Sequence, residues 1–409
     1  MAVALGVWPG LVCGELALTA PGDPNRSWSV SELTTVGYDD NVNTTPNSSS
    51  NRVGSATINV TPQVSLKLPG EQTSGQLRYT YRATYYTDRK STTPDQSHVV
   101  DAALSHAFTP RLTTTLGETF VRGLSPELVD QQISGTPIIT RQRGDYSYNA
   151  VNGGATFQLT SRWSVSLNQS WDRWMFDEKS QAESNDRDDY STLASASYSL
   201  DPRTFVGGSY RLSLTDYSIA NSTNTQRDSI SQSLYATVVR RFNPLLVAQA
   251  NVGLQLAGYN NTTDLSPYVS LSSSYNFGAN STLSGGFTYN IQLTEVAQYL
   301  SSDQASTFIS LQYRMTPKLR FSVDLAYVIS SYRNLNPVYD NPNDVTQQSS
   351  ATENSWRIGT SINYDFTKWA ALYLNYSYDG VNSGLDNPIT GLERSYDRNQ
   401  CGIGLRLSY

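Results

Sequence analysis

The 409-residue chain has almost no cysteine: only Cys13 and Cys401, near opposite ends. Two thiols so placed give neither a disulfide framework nor a Cys-based metal site. Histidine is equally scarce, with only His98 and His106. Eight residues apart on one strand, they would stand roughly 26 Å from each other and could not share a catalytic centre. There is no phosphate-binding loop and no helical zinc-protease motif, and no pair among the many Asp and Glu residues is singled out as acid and base. The sequence therefore does not read as an enzyme, and it calls for no metal and no cofactor. Charged residues are only 16% of the chain and the net charge is −6. That leaves no basic face for phosphates and excludes a nucleic-acid partner. Long hydrophobic runs are missing too. No stretch approaches the roughly 18 apolar residues of a membrane-spanning helix, so a chain like this can cross a membrane only as a closed barrel.

What fills the chain instead is Ser, Thr and Asn, with 27 Tyr against 11 Phe. That mixture suits strands with one wet and one apolar face. From Trp28 onward the hydrophobic period is two. Ala56, Ile58, Val60, Val64, Leu66 and Leu68 alternate with Thr57, Asn59, Thr61, Gln63, Ser65 and Lys67. Leu77, Tyr79, Tyr81, Ala83 and Tyr85 alternate with Gln76, Arg78, Thr80, Arg82 and Thr84. Successive side chains of a strand point to opposite faces, so this pattern predicts strands.

A tight connection recurs. It reads Phe108-Thr109-Pro110-Arg111-Leu112, Leu159-Thr160-Ser161-Arg162-Trp163, Leu200-Asp201-Pro202-Arg203-Thr204, Phe242-Asn243-Pro244-Leu245, Met315-Thr316-Pro317-Lys318-Leu319 and Phe366-Thr367-Lys368-Trp369, with variants near Pro69 and Gly278. These are turn residues flanked by large apolar ones. Between them lie pairs of strands joined by longer polar loops, at residues 123–143, 177–186, 218–227, 260–265, 295–303, 333–350 and 380–393 among others. Such sorting of connections, with strands of about 11 to 15 residues, predicts a transmembrane antiparallel up-and-down β-barrel. It is all-β, with about eighteen strands, short periplasmic turns and longer extracellular loops. Residues 28–409 form the barrel. Residues 1–27 read as a signal-peptide remnant or a periplasmic N-terminal segment. Outward aromatic pairs, Tyr275 with Phe277 and Tyr364 with Phe366, suit interfacial girdles.

Strand parity sends Lys67, Arg78, Arg82, Arg211, Arg314, Arg320, Arg357 and Arg406 to the lumen, with Asp101, Asp172, Asp324 and Asp365. An excess of cations there would favour anionic or polyhydroxylated solutes. The same charges could instead pair across strands. Acidic clusters, Asp39-Asp40, Asp177-Glu178, Asp186 with Asp188-Asp189, and Asp340 with Asp344, fall at the loops. They would be solvated, or would share divalent cations with lipopolysaccharide. The longest loop, residues 123–143, has apolar residues to bury. It carries Glu127 and Asp130 at one end and Arg141 and Arg143 at the other. Folded inward, it would be the constriction.

The last ten residues alternate apolar Cys401, Ile403, Leu405, Leu407 and Tyr409 with Gly402, Gly404, Arg406 and Ser408. Gly404, Leu407 and the final Tyr409 resemble the terminal signal that barrel-assembly machinery reads in outer-membrane proteins. Val36-Gly37-Tyr38-Asp39-Asp40-Asn41-Val42, with the whole-length run of strands and Thr-Pro turns, resembles the β-barrel porin 2 family of Gram-negative outer-membrane proteins. The resemblance implies a pore in the cell outer membrane, in contact with lipid and lipopolysaccharide, and it carries no site residue over. The expectation is passive diffusion of small polar or anionic solutes. Polysaccharide export and a non-conducting structural or surface-display barrel are the alternatives, and a homo-oligomer is compatible with each.

Overall fold

The computed structural model describes residues 27–89, 93–124, 129–131, 136–138, 144–218, 227–259, 262–278, 280–294, 296, 298–337, 350–385 and 394–409. Its strands in chain order begin with β1 (Trp28–Asp39), β2 (Ser55–Leu68), β3 (Thr73–Tyr86), β4 (Asp95–Thr109) and β5 (Leu112–Leu124). A small separate hairpin follows, β6 (Val129–Gln131) with β7 (Thr136–Ile138). Then come β8 (Asp145–Gln158), β9 (Trp163–Phe176), helix α1 (Lys179–Asn185), β10 (Arg187–Asp201), β11 (Thr204–Tyr217), β12 (Ser229–Arg241) and β13 (Leu246–Tyr259). The chain finishes with β14 (Thr263–Phe277), β15 (Ser281–Leu293), β16 (Tyr299–Arg314), β17 (Leu319–Leu335), β18 (Ala351–Asp365), β19 (Ala370–Ser383) and β20 (Tyr396–Ser408).

Leaving out β6 and β7, these make one 18-stranded antiparallel sheet in which each strand pairs with its neighbours in the chain. β1 pairs with both β2 and β20, so the sheet closes into a barrel. Fold class and strand number agree with the sequence reading. The loops at residues 260–265, 295–303, 333–350 and 380–393 are shorter than expected, because β14 starts at Thr263, β16 at Tyr299, and β17 and β19 run on to Leu335 and Ser383. The reason is that polar residues pair as well as apolar ones wherever the strand faces water.

The recurring turn now has a mechanism. Its first polar side chain accepts two backbone N–H groups from the residues two and three further on. Thr109 Oγ1 takes Arg111 and Leu112 at 3.2 and 3.0 Å. Thr160, Thr316, Thr367 and the Asn243 carboxamide do the same. Proline is tolerated directly after the acceptor because the motif asks no N–H of that position.

The outer face is apolar over most of its height. Leu234, Leu254 and Leu265 are among its most exposed members. Near the short turns it carries aromatics in contact: Tyr275, Phe277 and Tyr313 stack in series, Tyr364 meets Phe366 and Trp28 meets Tyr409. His98 and His106 also face outward, against Tyr79 and Phe108. They are aromatic-belt residues and never meet. The inner face is small and polar. Side chains such as Ser209, Ser233, Ser310, Ser322, Ser355 and Ser361 are buried between larger neighbours.

Candidate functional site

The inner wall is the candidate site. Many of its charges are paired across strands. Arg78 holds Asp101 at 2.8 Å. Asp365 bridges Arg320 and Arg406 at 3.0 and 3.1 Å. Arg357 meets Asp379 at 2.5 Å. Asp324 accepts from Ser310, and Arg314 donates to the Pro317 carbonyl in its own turn. Lys67 and Arg82 face inward on β2 and β3, Lys67 exposed near a short turn.

Sequence parity missed several inward groups that sit at strand ends, where they read as loop. They are the acids Asp39, Asp95, Asp189, Asp264, Glu353 and Asp379, against the bases Arg187, Arg241 and Arg398. The expected cationic excess disappears once these are included. Asp39 is the clearest correction, being no solvated loop acid but 1% exposed. Arg398 grips it through Nη2 at 2.5 Å and Nε at 3.1 Å, and Gln400 donates at 3.0 Å. Arg398→Leu would strand that carboxylate, and breaking such a buried pair costs about 3–5 kcal/mol. The variant is expected to lose its compact electrophoretic form at lower temperature than the parent. Equal temperatures would contradict this account of the pair. Next to Asp39, at the rim, burial pushes Asp40 up, but donors on Asn399 and Arg52 outweigh it and hold the carboxyl below its ordinary value.

The lumen is narrowed by an element the sequence reading placed in a loop. β14 pairs with β15 only from Val269↔Tyr289 downward, so residues 263–268 of β14 have no partner on that side. Pro267, in that stretch, has no N–H to leave unsatisfied. β15 continues past the break, still paired with β16, but runs across the inner face of β13. There the Gln255 side chain acts as a strand neighbour, donating to the Ile291 carbonyl at 3.1 Å and accepting its N–H at 2.9 Å. Ile291 and Leu300 pack on Ala257 and Tyr259 of β13.

The wall is thus doubled here. Every residue from Tyr299 to Gln304 is buried, whereas other strands alternate. Asp264 on β14 accepts from Ser301 at 2.9 Å, tying the outer layer to the inner one. The Arg227 guanidinium donates to the Thr294 carbonyl at 2.8 Å and lies 4.3 Å from the Tyr217 ring. A cluster of Val296, Tyr299, Tyr332, Ala351 and Leu385 seals the same end. A second inward patch, Tyr146, Tyr148, Trp174 and Phe176, is capped by Ala182 of α1. Of the expected constriction loop, Glu127, Arg141 and Arg143 lie outside the described residues, and Asp130 sits on the backbone of the small β6–β7 hairpin.

Arg211 and Asp172 are brought together with Asp189 in a recess of about 120 Å³, open to the lumen, under the infolded end of β15. At the closing seam, Gly404 faces inward while Leu407 and Tyr409 face outward, and Tyr409 exchanges backbone hydrogen bonds with Val30.

Several solved structures resemble this chain. The outer membrane protein OpdK from Pseudomonas aeruginosa is 12% identical over 93% of this chain and 99% of its own, with a TM-score of 0.48. OccK2 (OpdF) from the same organism is 12% identical over 93% and 98%, with a TM-score of 0.46. The siderophore receptor PirA, also from Pseudomonas aeruginosa, is 11% identical over 95% and 81%, with a TM-score of 0.44. No family model and no curated protein matches the chain. At such identities the likeness is one of barrel architecture.

Proposed function

We propose that this protein is a channel of the Gram-negative outer membrane through which small polar solutes diffuse. The observation that carries the reading is the closed 18-stranded wall, apolar outside and polar inside. At this strand number a barrel encloses an aqueous lumen unless something fills it, and the infolded end of β15 fills only one side. An even strand count puts both ends of the barrel at the short-turn rim, which is the periplasmic side, with lipopolysaccharide around the long loops. The porin 2 resemblance and delivery through Gly404, Leu407 and Tyr409 by assembly machinery belong to the same reading. Because the wall charges are nearly balanced and many are paired, solute charge has little influence on passage. The doubled wall also favours small solutes over an exported polysaccharide chain.

Flux through proteoliposomes tests this with glucose, maltose, succinate and benzoate. Comparable entry of sugars and anions of similar size is expected. Entry of anions alone would contradict the balanced wall, and entry of none would favour a non-conducting barrel.

A further inference from the structure

Two side chains that face the recess beneath β15 are left with unused hydrogen-bonding atoms. The Arg211 Nε is buried and has no hydrogen-bond partner among the described residues. Facing the same space, Asn290 is 4% exposed, and its Oδ1 also has no partner there. Buried polar atoms of this kind each cost free energy unless something supplies the missing bond.

The acids of the recess are not that missing partner. Asp189 is taken by Arg187 at 2.9 Å and Thr215 at 2.6 Å, and Asp172 accepts from the Tyr148 hydroxyl at 3.3 Å. Arg187 neutralises Asp189 from beside the recess, so Arg211 and Asp172 are the opposed charges left within it. The rest of its lining mixes hydroxyls such as Ser213 and Ser231 and the amide of Gln255 with apolar Leu214, Ala257 and Leu293 and the Tyr268 ring, which lies 4.7 Å from Tyr235.

We infer that this recess is a binding site for a neutral polyhydroxylated solute, a mono- or disaccharide. Such a ligand has oxygens to accept from Arg211 and hydroxyls to donate to Asn290. Its apolar ring face matches the Tyr268 ring. An anion would use Arg211 but would leave the Asn290 amide oxygen unsatisfied and would meet Asp172 and Asp189. A cation would meet the opposite mismatch. Neutral ligands with both donors and acceptors satisfy both unused atoms at once.

The inference deepens the channel reading, and it is tested by a measurement that does not require conduction. Isothermal titration of the folded barrel in detergent micelles is run with glucose, maltose and succinate. Saturable binding of at least one sugar is expected, with none of succinate. Arg211→Met and Asn290→Leu should each weaken sugar binding by about tenfold or more, while the compact electrophoretic form persists. Rescue is expected from Asn290→Asp, which keeps an acceptor at that position, so a merely structural role for Asn290 is distinguished. Succinate binding that depends on Arg211, or no saturable binding of any sugar, overturns the inference. A barrel that conducts but does not bind sugar loses the site and keeps the channel. One that binds sugar but does not conduct keeps the site and loses the channel.

Discussion

Replacing Gly37 by valine is expected to prevent the barrel from closing. Gly37 on β1 faces Gly402 on β20 at the seam, and both point into the lumen. A Cβ on Gly37 would stand 2.2 Å from the Cys401 carbonyl oxygen, a backbone atom that cannot step aside. Any relief must push β1 away from β20 and break the ladder that joins the first strand to the last. In lipid each backbone group so exposed costs several kcal/mol, since no water is there to replace the lost bond. The expected result is a chain without the compact, heat-modifiable form in gels. Gly402→Ala is the contrasting case. Its Cβ would meet the Asn375 side-chain oxygen at 2.7 Å, with the nearest backbone atom at 3.6 Å. That side chain can rotate, so this variant should assemble. A heat-modifiable Gly37→Val barrel would show that the seam is looser than described.

Gly404 raises the same point about the terminal motif. Its Cβ would lie 2.4 Å from the Thr35 methyl and 2.7 Å from the Thr34 carbonyl. The glycine that reads in sequence as part of an assembly signal is therefore also required by close strand packing. Leu407 and Tyr409, exposed on the outer face beside Trp28, remain available for recognition.

The second large effect is expected from removing the infolded strand end. Tyr289 and Ala305 are register partners on β15 and β16, at the last residue of β15 that pairs with β14. The residues between them can be replaced by Asn-Gly, which closes a two-residue hairpin with the right twist. The variant keeps the barrel ladder below and loses the segment that lies across β13. Single-channel conductance should rise on the order of twofold as this side of the lumen widens. Shortening residues 125–143 in a separate chain distinguishes the two candidates for the constriction. If only the second variant conducts better, the long loop sets the size limit and the doubled wall does not.

The barrel was legible in the sequence because its outer face obeys a strict period of two. The Thr-Pro turns mark every second connection with chemistry that the hydrogen bonds explain. The infolded end was not legible, because it breaks the rule that makes strands readable. Leu300 is apolar at an inward position, Asp303 is charged at an outward one, and a stretch buried on both faces loses its alternation. Pro267 in mid-strand was the available signal, a residue that cannot donate to either neighbour. The wall's charge balance was misjudged for a related reason. Asp39 and Asp189 look like loop acids beside their neighbours Asp40 and Asp188, and only register separates the inward member of each pair from the outward one. The recess needs six strands and a fold-back to assemble, and no spacing along the chain encodes it.

The central claim is that water and ions pass through this lumen, and planar-bilayer recording of the purified, refolded barrel tests it most directly. Stepwise insertion with a steady ohmic current is expected, with weak preference between cations and anions because many of the wall charges are paired. Insertion without any open-state current, in a chain that is compact and heat-modifiable, would contradict the claim and leave the infolded strand end as a plug.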